Sequence, residues 1–171
     1  MKIKKASAGR VLWLLAAILW MALIFHFSGQ KASQSSEVSG SITYRMAKAA
    51  NHLFDLGWDG ETLERYAGAL EHPVRKAAHM TEYAVLAWLF LGNFMQYPFF
   101  RKRAYLWAGG LAAVYASTDE FHQLFIEGRS GEWKDVAIDS LGAILGLLFV
   151  WAVCLIWNHH KKERGEGNGR I

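Results

Sequence analysis

Residues 115–139, YASTDEFHQLFIEGRSGEWKDVAID, begin inside one apolar block and end inside another. Between the two they place Asp119, Glu120, His122, Gln123, Arg129, Asp135 and Asp139, where lipid-facing sequence should carry nothing polar. An ionisable group near the centre of a membrane segment costs about 2.5–3.5 kcal/mol on insertion scales, so a cluster of them needs a reason. The stretch predicts a polar site, and the remaining chain reads as the scaffold that holds it at one depth in a bilayer.

Working outward, apolar residues make up 53% of the 171 and eight of them are Trp, which is rich for a soluble domain of this size. They fall into four blocks divided by polar segments, the layout of a small polytopic membrane protein. The expected fold class is all-α: four transmembrane helices in a bundle, with spans near 11–27, 74–96, 104–125 and 135–157. Residues 1–10 form a basic N-terminus, and 158–171 a polar, Gly-rich tail expected to be disordered. The first block ends Phe25-His26-Phe27 rather than in small residues, so it reads as a retained span and not a cleaved signal. Cys154 is the single cysteine, which excludes an intrachain disulfide, and it reads as a small packing residue.

Between spans one and two lies a long polar segment. Its Ser-rich start reads as loop, and helical spacing begins at Val38 and continues through Ile42, Met46, Ala49 and Leu53. Such a stripe suits an amphipathic helix on the bilayer surface, or equally a lid packed on the loops. Pro73 is expected to open the second span, where its missing N–H costs nothing. Gly142 and Gly146 in span four form a G-x-x-x-G pair that permits close helix approach.

Four spans put both termini and the turn after span two on one side. That side carries Lys2, Lys4, Lys5, Arg10, Arg101, Lys102, Arg103, Lys161, Lys162, Arg164 and Arg170, against only Glu163 and Glu166. The positive-inside rule makes it cytoplasmic, so the polar ends of spans two, three and four face outward. At 1.5 Å per residue, Glu82 lies about 12 Å, Asp119 about 9 Å and Asp139 about 6 Å below the outer ends of their spans. Three helices thus bring carboxylates to one shallow layer. Spacing adds direction: His79, Glu82 and Tyr83 share a helix face, as do Asp119, His122 and Gln123, and Asp135, Asp139 and Gly142. If these faces turn inward, histidines and carboxylates surround one cleft. Arg75, Lys76 and Arg129 stand at its rim and suit a phosphate or carboxylate group.

These residues resemble the VanZ-like family of bacterial membrane proteins. The likeness rests on His79-x-x-Glu82-Tyr83, on Tyr115-Ala-Ser-x-Asp119-Glu120-Phe-His122-Gln123-x-Phe125, on Gly128-Arg129, and on Asp135-x-x-x-Asp139-x-x-Gly142. Phe27-Ser28-x-Gln30 adds to it at the end of span one. The likeness covers roughly residues 10–157. Glu127 departs from the pattern, since such sequences tend to carry Pro before Gly-Arg. The resemblance implies a multi-pass protein of the bacterial cytoplasmic membrane. For the name-giving member it implies a link to resistance to the glycopeptide teicoplanin. It supplies no reaction.

The residues leave several functions open. In one, Asp119, His122, Glu82, His79, Glu120 and Asp139 carry proton chemistry on an envelope lipid or a lipid-linked cell-wall precursor. Arg129, Arg75, Lys76, Gln123, Tyr83, Asp135, Ser28 and Gln30 then bind the substrate. In another, the protein binds such a molecule without turnover, or the polar cluster only locks helices together. A proton-coupled transporter is a weaker reading, as no inverted repeat is visible. Oligomeric state is left open. No metal or cofactor is expected: there is no H-E-x-x-H or C-x-x-C pattern, and His79-x-x-Glu82 runs opposite to the usual Glu-x-x-His order. No nucleotide loop, nucleophile elbow or nucleic-acid motif is present.

Overall fold

The computed structural model describes the backbone of residues 2–164 and the side chains of residues 8–164. Lys2, Lys4, Lys5 and the end of the predicted tail at 165–171 therefore lie outside the described side chains. Six helices follow one another: α1 (Lys2–Ser28), α2 (Ala32–Phe54), α3 (Gly60–Phe94), α4 (Pro98–Arg101), α5 (Ala104–Gln123) and α6 (Trp133–Glu163). No strand occurs among the described residues.

Two helices are long and apolar enough to cross a membrane: α1 over Ala8–Ser28, and α6. Only 17% of the apolar window in each is buried by the rest of the protein, so neither is the enclosed core helix of a soluble domain. Leu12, Leu19, Phe149 and Trp157 all point outward, each more than half exposed. Cys154, expected to pack, is exposed on the same outer surface. Helix α6 also runs on through Asn158–Glu163, where a disordered tail was expected.

Helix α3 is the hub, in contact with α1, α2, α5 and α6. The contacts are close because the facing residues are small. Ala104, Ala108, Ala112 and Ala116 form a ladder at four-residue spacing along α5, each at most 1% exposed. Gly142 and Gly146 of α6 press on the α3 backbone: a Cβ built on Gly142 would lie 2.4 Å from the Met80 carbonyl oxygen, and one on Gly146 2.7 Å from Ala84 Cα. The G-x-x-x-G pair is thus a true helix contact. Leu86, Ala87, Phe90, Ala143 and Leu147 fill the space beside it.

Two local expectations change. The Ser-rich stretch is helical from Ala32: its hydroxyls are satisfied within the helix, Ser39 Oγ donating to the Ser35 carbonyl (2.9 Å) and Thr43 Oγ1 to the Ser39 carbonyl (3.0 Å), and packing of this small face on α3 outweighs their weak helix propensity. Pro73 does not open a helix but lies inside α3. A mid-helix proline costs about 3 kcal/mol, and the tertiary contact on the turns before it offsets that: Leu63 and Ala67 pack on Ala47 of α2. That contact uses the small face of α2, with Ser39, Thr43 and Ala47 buried. The apolar stripe at Val38, Ile42, Met46 and Leu53 points outward instead.

Candidate functional site

The alanine ladder of α5 leads into the site. Four residues beyond Ala116 the same face presents Glu120 (6% exposed), flanked by Asp119 (2%) and Gln123 (5%). A closed chain of hydrogen bonds joins this end of α5 to the end of α1. Ser28 Oγ donates to Asp119 Oδ1 at 2.6 Å, and Gln123 Nε2 makes a long contact of 3.4 Å to Asp119 Oδ2. Arg129 donates to Gln123 Oε1 at 3.3 Å, and its Nε to the Gln30 carbonyl at 2.8 Å.

The loop between α5 and α6 folds back to deliver Arg129. Gly128 sits at φ +78°, a left-handed conformation that glycine takes without penalty. Gly131 approaches the Glu120 carbonyl so closely that a Cβ would lie 2.6 Å from its oxygen. Glu120 Oε2 then accepts the Glu132 N–H at 3.1 Å, at the N-terminal end of α6. Glu127, the departure from the family pattern, accepts the Ala32 N–H with its carbonyl (3.3 Å) and pairs with Lys31 through an exposed carboxylate (2.6 Å).

From α3 come Arg75, Lys76, His79, Glu82 and Tyr83. Arg75 is committed to the α2–α3 contact: it pairs with Glu71 and donates to Ser36 Oγ (2.9 Å) and Ser39 Oγ (3.0 Å). Lys76 pairs with Asp135 of α6. Of the three expected rim cations, only Arg129 has no carboxylate partner among the described residues. Its guanidinium is held by neutral acceptors, and burial first, then the charge of Arg75, lower its pKa from the ordinary arginine value. An arginine stays cationic regardless, so the loop holds a half-buried positive charge that makes no direct ion pair among the described residues, with Asp119, Glu120 and Glu82 near enough to favour it.

Arg75, Lys76, His79, Glu120, Gln123, Arg129, Asp135 and Asp139 line a cavity of about 320 Å³, whereas Asp119, Glu82, Tyr83 and Ser28 are not in its wall. Asp139 is 2% exposed and makes no ion pair among the described residues. His79 Nδ1 is buried without a hydrogen-bond partner, 3.7 Å from Glu82 Oε2, too long for a bond. Tyr83 is fully buried, its hydroxyl equally without a partner among the described residues, with its ring 6.3 Å from Tyr115. Tyr115 itself donates to the Met21 carbonyl at 2.7 Å, a packing role.

His122 stands apart. It stacks on Phe25 of α1, with ring centroids 4.1 Å apart, and is not in the cavity wall. Helical spacing put it with Asp119 and Gln123, and like Asp119 it meets the end of α1, but its ring packs on Phe25 while Asp119 bonds to Ser28. The sequence reading also missed Glu71, Ser36 and Ser39 as the partners of Arg75. Glu71-x-x-x-Arg75 is a visible i,i+4 pair, whereas the serines are brought in only by the α2–α3 hairpin. Among the described residues, no three His, Cys, Asp or Glu side chains converge at metal-ligand spacing.

Fold and site together define an all-helical protein with membrane-length apolar helices and an inward cluster of acidic, imidazole and guanidinium groups. The family model described as VanZ/LLP1 matches residues 13–157, most of the chain, and the protein belongs to that family. No curated protein and no solved structure matches it.

Proposed function

We propose that the protein acts at the outer face of the bacterial cytoplasmic membrane on an envelope lipid or lipid-linked cell-wall precursor, held through an anionic group at Arg129. The observation that carries this reading is the Arg129 guanidinium: half-buried, fixed by two neutral acceptors, without a carboxylate partner among the described residues, and facing a cavity that also holds His79, Glu120 and Asp139. A preorganised guanidinium of this kind binds phosphate or carboxylate with little rearrangement. The carboxylates and His79 then stand where protons could be exchanged with the bound molecule.

In this reading α3 and α5 cross the bilayer beside α1 and α6, giving four spans with both termini cytoplasmic. The outward-facing Trp88, Leu106, Trp107 and Val114 support that placement, as does the clustering of basic residues on one side. Glycopeptide susceptibility of the teicoplanin type would change because the precursor or its surroundings change. A non-catalytic binder is the second reading. The stacking of His122 on Phe25 favours it, since that leaves His79 as the one imidazole of the pair at the cavity.

Comparative lipidomics of cells with and without the protein, repeated with Asp119→Asn, separates the cases. An enzyme changes the abundance of a defined lipid, and Asp119→Asn abolishes that change at equal protein level. A binder retains a lipid through purification without product. Absence of both, with Asp119→Asn failing to accumulate in the membrane, leaves a structural cluster.

A further inference from the structure

A second, smaller cavity of about 150 Å³ adjoins the first. Arg75, His79 and Arg129 line both. Beyond that shared wall the character changes: Phe27 from the end of α1, Val38 and Ile42 from α2, and Val74 and Ala78 from α3 give the second cavity a mainly apolar lining, with Gln30, Ser35, Ser39 and Glu82 as its other polar groups. Val38 and Ile42 belong to the α2 stripe that the α2–α3 contact leaves uncovered, and each is about half exposed. The small cavity therefore lies between α1, α2 and α3, with the half-exposed Phe27, Val38 and Ile42 in its wall.

Resting on the lipid reading above, we infer that the two cavities bind one molecule, an anion joined directly to a single hydrocarbon chain, such as an alkyl or isoprenyl phosphate. The charge sits at the junction on Arg129, and the chain leaves past Val38, Ile42, Val74 and Ala78. Two features select this class. The Arg129 guanidinium, which makes no direct ion pair among the described residues, is in the wall common to both cavities, so head and chain must be adjacent, with no spacer between them. The apolar cavity is under half the volume of the polar one and suits one chain better than the paired chains of a glycerolipid. Any further group on the phosphate would extend into the larger cavity, toward Glu120, Asp135 and Asp139.

The test is photocrosslinking of the full chain in phosphatidylcholine nanodiscs with dodecyl phosphate carrying a diazirine near the start of its chain. Labelling is expected on peptides containing residues 35–42 and 74–78. Arg129→Gln should lower it at least tenfold, and so should Ile42→Trp, which fills the apolar cavity without touching the polar one. On wild-type protein, the corresponding diazirine-tagged dodecanol should label these peptides at least tenfold less, so the role of the charge is tested even if Arg129→Gln fails to fold. Unlabelled dodecyl phosphate should compete at least a hundredfold better than glycerol 1-phosphate or inorganic phosphate. Labelling that needs the phosphate but maps elsewhere, or is indifferent to Ile42→Trp, overturns the chain path while leaving an anion site on Arg129. Equal competition by glycerol 1-phosphate or inorganic phosphate overturns it in the same way and points to a free or water-soluble phosphate as the ligand. Equal labelling by the phosphate and the alcohol, or labelling spread over the outer faces of α1 and α6, overturns both this inference and the lipid reading beneath it.

Discussion

Gly142→Ala perturbs the contact between α3 and α6 at its tightest point. The added Cβ would lie 2.4 Å from the Met80 carbonyl oxygen and 2.6 Å from Met80 Cα, both backbone atoms that no rotamer change can move. Ordinary non-bonded contacts lie near 3.5 Å, so α6 must withdraw by about 1 Å, a gap that forfeits a quarter to a half of the dispersion energy of the facing atoms. Overpacking of this kind costs about 1–3 kcal/mol. Alanine regains about 0.5–1 kcal/mol of helix propensity over glycine, so the net loss is about 0–2.5 kcal/mol. Gly110→Ala in α5 is the control, because nothing lies within 4 Å of its would-be Cβ. It should be neutral or stabilising by about 0.5–1 kcal/mol. Reversible unfolding in mixed detergent micelles, followed by circular dichroism, measures both. Adding Gly146→Ala to Gly142→Ala should cost less than the sum, since the first substitution has already moved the helix. Gly142→Ala proving as stable as Gly110→Ala would refute the close-packed contact and the position of Asp139 that depends on it.

Ser28→Ala removes the buried donor to Asp119 and should cost about 1–3 kcal/mol in the same assay, as a buried acceptor loses its partner; no loss would mean that the α1–α5 tie carries no stability. A double-mutant cycle of Lys76→Gln and Asp135→Asn, whose side chains are each 24% exposed, should give a coupling of about 1–2 kcal/mol, between surface and buried pairs; a value near zero would show the pair to be open to solvent. Asp59 begins α3 and accepts the Thr62 N–H at 2.8 Å, and hydrogen bonds from Thr62 hold its carboxyl below the ordinary aspartate value. A depressed carboxylate stabilises above its unfolded pKa and loses that contribution as pH falls. Hydrogen exchange of the Leu63 and Thr62 amides, corrected for intrinsic rate, should therefore rise on acidification, and Asp59→Asn should remove the pH dependence while keeping a cap; an identical pH response in Asp59→Asn would sink this account.

The linear order of residues was enough for several conclusions. Apolar blocks of bilayer length, polar residues at the ends of three of them, and one loop with two glycines predicted an all-helical protein whose chemistry gathers at one end. Those features are local, and periodicity and composition report local physics directly. Of the residues that helix-face spacing set around one cleft, His79, Gln123, Asp135 and Asp139 line a common cavity, while Glu82, Tyr83, Asp119 and His122 are not in its wall. What only the tertiary structure decided is which of several competent faces each helix turns inward. Helix α2 buries its small polar face rather than its apolar stripe, because Ser39, Thr43 and Ala47 let α3 approach closely while the stripe faces outward. Pro73 is carried inside α3 because packing on α2 outweighs a backbone penalty visible in sequence. His122 turns to Phe25, and Arg75 and Lys76 find carboxylate partners while Arg129 has none among the described residues. Partner choice among charges depends on which side chains from distant parts of the chain arrive within about 4 Å, and spacing along one helix does not fix distances to another.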